Sequence, residues 1–290
     1  MRAFLALALF ALFSPTLRAA DLFAQENVVA WCIVPFDAKK RSPEDRAAML
    51  KSLGFKKYAY DWRAEHLPTF ERELAALKAQ GIELTAVWFP RLDKDGIFLL
   101  DTLRKHGLKT QLWVKLTNPP ADLDQAAKVK FAIEKLRPIV EVAAKDRHTV
   151  RLYNHGGWGG EPQNQLAVLA LLRAPNVGIV YNLHHGHDHL DRFSEILKTT
   201  RPHLLAVNLN GMVKGGDRID KKILPLGQGG LDLCLLKTLA DSGYTAPIGI
   251  LGHTSHDAAE RLQDNLDGLR WLVPQLRGQP TAPRPMPRTR

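Results

Sequence analysis

Val177-Gly178-Ile179-Val180-Tyr181 runs straight into Asn182-Leu183-His184-His185-Gly186-His187-Asp188-His189. The first five residues form an apolar run with no alternation, as expected of a strand covered on both faces. The abrupt change to amide, imidazole and glycine marks the strand's end as a place where chemistry could sit. Pro247–Leu251 repeats the pattern and leads into Gly252-His253. Working outward, six more strand candidates emerge: 28–35, 57–60, 83–89, 109–115, 149–153 and 204–208. Each of the eight is followed by a helical pattern. Strand–helix–strand repetition implies parallel pairing, because consecutive parallel strands need a crossover. Eight such units predict a single closed (β/α)8 TIM barrel over residues 21–276.

The helices carry start signals. Ser42-Pro43-Glu44-Asp45 offers a cap, a first-turn proline and two acids at a positive helix end. Asp257 does the same before 258–273, and a long helix is expected over 122–145 with Pro138 inside it. A length of 290 residues with 45% apolar and 24% charged content suits one large domain.

Both ends read differently from the body. Arg2, the apolar run from Ala3 to Phe13, Pro15 and the small residues Ala19-Ala20 have the pattern of a signal peptide over residues 1–20. That predicts an exported, periplasmic or secreted protein with no stable membrane insertion after cleavage. The stretch 277–290 is rich in proline and arginine, contains no acid, and is expected to be disordered. Without the arginines of these two segments the formal charge falls from +10 to +4. So small an excess, spread over a barrel, argues against a nucleic-acid partner. Cys32 and Cys234 lie in separate apolar runs and are expected to be buried free thiols.

Barrel sites form at the C-terminal ends of the strands. The residues there are Asp61 after strand 2, Trp88 and Lys115 ending strands 3 and 4, and Asn154-His155 with Glu161 after strand 5. Asn182, His184, His185 and His187 follow strand 6, Asn208 and Asn210 strand 7, Gln228 lies in the long loop beyond, and His253 follows strand 8. Aromatic rings beside amides and imidazoles suit the face and hydroxyl edge of a sugar.

In order and spacing these loops resemble the xylose isomerase-like TIM barrel superfamily, which includes sugar phosphate isomerases, epimerases and the endonuclease IV type. The resemblance spans about residues 27–276. It implies a divalent metal held by an acid after strand 5, Asp-x-x-His after strand 6, His-x-Asp after strand 7 and a glutamate in a late Gly-Glu-Gly turn. The matching positions hold Asn154, Asn182 with His185, Asn208 with Asn210, and Gln228. Neutral amides replace the acids, so the usual site is expected to be lost and no cofactor is required. A divalent metal remains conceivable on a relocated set, His185, His187 and Glu161.

The expected function is that of a sugar isomerase or epimerase, or a related lyase, removing a proton next to a carbonyl. Glu161, His155 and His185 are the candidate bases and Lys115 the candidate electrophile. Asp61, Trp88, Asn154, Asn182, His184, Asn208, Asn210, Gln228 and His253 would bind substrate. The alternative is a carbohydrate-binding pseudoenzyme with the pocket kept and the chemistry gone.

Overall fold

The computed structural model describes residues 22–288, so the expected signal segment lies outside the described residues. Eight parallel strands close into one barrel in sequence order: β1 Val28–Trp31, β2 Lys57–Tyr60, β3 Glu83–Trp88, β4 Gln111–Val114, β5 Thr149–Tyr153, β6 Val177–Asn182, β7 Leu204–Leu209 and β8 Ile248–Leu251. β1 pairs with β8, Val28 opposite Ile248, and this closes the ring. The principal helices are α1 Pro43–Ser52, α2 Phe70–Gln80, α3 Lys94–Lys105, α4 Gln125–Lys145, α5 Pro162–Leu172, α6 Phe193–Thr200, α7 Asp232–Asp241 and α8 Ala258–Gln275.

The caps read in the sequence operate. Ser42 accepts from the Asp45 amide, Asp124 from Ala127 and Asp257 from Ala259, each satisfying an N–H that the helix cannot. Pro138 sits within α4, which continues past it.

Two cores follow from the strand geometry. Outward residues such as Val28, Tyr58, Val87 and Ile179 join the helices' apolar faces. Inward residues fill the barrel: Val29, Ala59, Ala86, Val180 and Ala206, with Trp31 and Trp113 packed edge to face at 4.5 Å between centroids. Large rings on β1, β4 and β5 are balanced by alanines on β2, β3 and β7, which keeps the interior full.

β1 stops four residues short of the expected end. Cys32 adopts φ +63°, which ends the extended run and swings the chain into a turn at Val34–Phe36. Asp61 Oδ1 accepts from the Ile33 and Val34 amides at 3.1 Å each and pins that turn to β2. The long β7–α7 loop is gathered by Asp232, whose carboxylate accepts from the amides of Met212, Gly227 and Gly229 at 2.7, 2.7 and 3.0 Å.

Cys234 is exposed on α7 rather than buried, while Cys32 is buried; both are free. The stretch after α8, expected to be disordered, has no helix or strand, but its described part is held. The indole N–H of Trp271 donates to Ala282 O at 3.0 Å, and the Arg284 guanidinium lies 5.6 Å from that ring. Arg288 reaches Asp264 and Asp267 at 2.9 and 2.8 Å. Cation–π contact and buried acid partners supply what a proline- and arginine-rich composition does not reveal. Among the described residues no helix is long and apolar enough to cross a membrane.

Candidate functional site

The ends of β1, β2, β3, β5, β6 and β8 surround a small open cavity of about 90 Å³. Trp31 and Cys32 come from β1 and its turn, Asp61 and Arg63 from beyond β2, and Trp88 from β3. Tyr153 and His155 come from β5, His184 and His185 from beyond β6, and His253 from beyond β8. Trp88 meets Tyr153 edge-on at 5.0 Å, giving an aromatic side to the cavity. Trp88 is fixed from behind, its carbonyl accepting from the Trp62 indole at 2.7 Å. Facing these rings, the imidazoles of His184 and His185 lie 3.8 Å apart, and His155 lies 4.4 Å from His185. His253 stacks on Phe36 at 3.7 Å.

These histidines are neutral at physiological pH. Burial pushes His184 well below its ordinary value, and the neighbouring His185 adds to the shift. His185 is driven down to about 3 by burial and then by His155 and Lys222. His253 falls to about 4 through burial and then Arg63. His155, exposed at the rim, is lowered by partial desolvation and by Lys115. His185 has no hydrogen-bond partner among the described residues, so its ring nitrogens remain available. Across the cavity, burial raises the Asp61 carboxyl and the Cys32 thiol.

The amides at these strand ends behave differently. Asn154 Oδ1 accepts from the backbone and side-chain nitrogens of Asn182 at 2.8 and 3.0 Å, and Asn154 Nδ2 returns a bond to Asn182 O at 3.1 Å. Asn208 Nδ2 then donates to Asn182 Oδ1. All three are essentially fully buried, so this chain ties β5, β6 and β7 together rather than lining the cavity. Gly249 makes room for it, since a Cβ there would lie 1.8 Å from Asn208 Oδ1. Asn210 is also buried and donates to Gly211 O and Lys222 O.

This arrangement does not fit the divalent cation implied by the resemblance. The oxygens of Asn154 and Asn182 already accept hydrogen bonds, those of Asn208 and Asn210 are buried without a partner, and none of the four carries charge to offset a cation's lost hydration. Gln228 donates to Pro285 O at 2.8 Å, on the outer side of the loop. The relocated set is dispersed as well. His187 Nε2 lies 2.9 Å from Lys222 O, and Glu161 lies against His189 and Arg192 at 2.9 and 2.7 Å. Among the described residues no three His, Cys, Asp or Glu side chains are arranged to hold a metal ion.

The cavity therefore unites Asp61, Trp88, His155, His184, His185 and His253 from the expected residues. It leaves Asn154, Asn182, Asn208, Asn210 and Gln228 in structural bonds. Glu161, a candidate base, lies outside the cavity lining. Burial alone would raise it, but hydrogen bonds from Arg192 and His189 hold it below the usual carboxylate range and occupy both oxygens. Lys115 is exposed beside His155 and outside the lining. Trp31, Cys32, Arg63 and Tyr153 were not singled out by sequence reasoning. The inward parity of Trp31 and Tyr153 at strand ends was a usable signal; the left-handed Cys32 was not.

Neither a family sequence model nor a curated protein sequence matches the chain. Its fold does match solved structures. The 3-keto-D-glucoside 4-epimerase of E. coli superposes with TM-score 0.64 at 17% identity, over 85% of this chain and 98% of that one. The probable 3-DHS dehydratase AsbF of Bacillus anthracis gives 0.62 at 19%, over 84% and 98%. The zinc-bound IolI protein gives 0.65 at 13%, over 86% and 98%. With its closed parallel barrel and these superpositions, the chain has the fold of the xylose isomerase-like TIM barrel superfamily.

Proposed function

We propose that this barrel is a sugar isomerase- or epimerase-type enzyme that moves a proton next to the carbonyl of a sugar or keto-sugar, using histidines in place of a carboxylate-held metal. The observation that carries this reading is the cluster of neutral imidazoles facing an aromatic wall at the C-terminal end of the barrel. Two classes of structural neighbour, a sugar epimerase and a dehydratase, support it.

Roles follow from environment. His155 is accessible and is the proton acceptor. His185, pushed down to about 3, is too weak a base at neutral pH. A neutral imidazole is instead a good hydrogen-bond donor to the oxygen on which charge develops as the enediolate forms. His185 sits 4.4 Å from His155, close enough for both to address adjacent atoms of one substrate. Trp88 and Tyr153 pack the sugar's apolar face, and His184, His253 and Asp61 receive hydroxyls.

The test is proton–deuterium exchange. Aldoses, ketoses and keto-glycosides incubated with the protein in D2O are followed by NMR for loss of the signal next to the carbonyl. Exchange above the buffer rate supports the enzyme. Saturable binding with no exchange on any of them favours the carbohydrate-binding pseudoenzyme, which the intact pocket also fits.

A further inference from the structure

Among the described residues, three basic side chains stand at or near the cavity mouth without an ion pair. Arg63 lines the cavity; one Nη donates to Trp62 O at 2.7 Å and the guanidinium lies 5.4 Å from the Phe36 ring. Its remaining donors have no partner among the described residues, and it forms no ion pair there. Lys115 stands one residue past β4, beside His155, exposed and without an ion pair among the described residues. Lys222 is likewise exposed and unpaired there. Its backbone carbonyl is fixed at the mouth by His187 and Asn210, and its charge reaches His155, His184, His185 and His253.

Three of the acids nearby are already matched, while Glu65 and Asp220, each two residues from a rim cation, are exposed to solvent and form no ion pair among the described residues. Glu161 pairs with Arg192, Asp191 with Lys214 and Asp188 with Arg218. The only carboxyl in the lining, Asp61, is buried and accepts backbone N–H groups through Oδ1. The neutral histidines add no negative charge. Arg63 therefore lines the cavity, and Lys115 and Lys222, outside the lining, lie close enough for their charge to act on its histidines, in a pocket whose walls hold hydrogen-bonding groups suited to hydroxyls.

We propose that Arg63, Lys115 and Lys222 form an anion-recognition rim and that the ligand of this pocket is an acidic sugar, bearing a carboxylate or a phosphate. This rests on reading the pocket as a sugar site. A planar guanidinium anchored through one nitrogen keeps a free edge for two parallel hydrogen bonds to such a group, and the lysines add point charge. Burial is the main reason the histidines are neutral and the same field adds to it, so an anion entering the mouth would raise their basicity in part.

The experiment is calorimetric titration with a neutral hexose, the matching hexuronate and the hexose 6-phosphate, at low salt and at high salt. At least one anion should bind about tenfold or more tighter than the hexose, with an advantage that shrinks as salt screens it. Preference for the hexuronate assigns the carboxylate, and preference for the 6-phosphate assigns the phosphate. Arg63→Gln should remove most of the advantage, and Lys222→Gln part of it. The proposal is overturned if the hexose binds as tightly as both anions, if none of the three binds, or if both variants keep the full advantage. Anion preference without exchange would sink the catalytic reading and leave this one. Exchange on neutral keto-sugars without anion preference would do the reverse.

Discussion

Asn154 and His155 are neighbours at the end of β5, and Asn182 lies two residues from His184 beyond β6, yet the two sets have opposite fates. The amides are buried and bond one another and the Asn182 backbone across three strands, with Asn208 Oδ1 left without a partner. The histidines face the cavity, and His185 has no partner among the described residues. Amides can donate and accept at once, so a row of them can be linked without a cation between its members. Carboxylates in the same row would repel and would need a cation between them. Exchanging acid for amide thus converts a row suited to a cation into a seam that needs none, and leaves the adjacent histidines as the polar groups open to a ligand.

The largest effect that could break this comparison is on stability. Asn182→Ala removes the middle of the seam and strands the buried Asn208 Nδ2, while Asn154 keeps its two bonds to the residue 182 backbone. A loss of about 3 kcal/mol is expected from urea unfolding. Asn182→Asp should also destabilise, because a carboxylate cannot donate to Asn154 Oδ1. Burial would raise its pKa, so that variant should be least destabilised at low pH and lose stability as pH rises. A tolerant Asn182→Ala would mean that the seam does not hold the strand ends.

The histidines sharpen the contrast through pH. His185 and His253 have folded values of about 3 and 4, below the ordinary 6.5. As pH falls through 6.5 the unfolded chain takes up protons that the folded one refuses, so stability present above pH 6.5 is lost progressively toward pH 4. Glu73 and Asp232, pushed by burial up to about 7 and 6, act in the opposite sense, so the wild-type profile is a sum. The difference isolates the pocket: His185→Asn should lose less stability than wild type between pH 7.5 and 4.5. Parallel urea midpoints would contradict the neutral-imidazole description.

The smallest expected effect lies far from both regions. Arg288→Ala breaks contacts to Asp264 and Asp267 and should cost about 1 kcal/mol or less, since the arginine is half exposed. Trp271 emission should shift to the red if the tail lifts away. An unchanged spectrum would mean that Arg288 is not what holds it.

Much of the barrel was legible because its strands are covered on both faces and read as unbroken apolar runs, as Val177–Tyr181 does. The general location of the site was legible for the same reason: strand ends are where apolar runs turn polar. What each polar residue faces was not. Asn154 and His155 look equivalent in sequence, and only the pleat and the cross-strand partner from β6 separate them. Glu161 looked free because Arg192 and His189, its partners, are 31 and 28 residues away. Cys32 gave no signal, since a left-handed non-glycine residue depends on the turn that Asp61 pins.

The central claim is that His155, rather than a bound metal, takes the proton. The direct measurement is deuterium exchange on a substrate that the wild type turns over, comparing chelator-treated wild type with His155→Gln of matched stability. The account predicts that chelated wild type keeps its rate and that the variant loses on the order of 10²–10⁴-fold. Exchange abolished by chelation and restored by Mn²⁺, or left intact in His155→Gln, would contradict it.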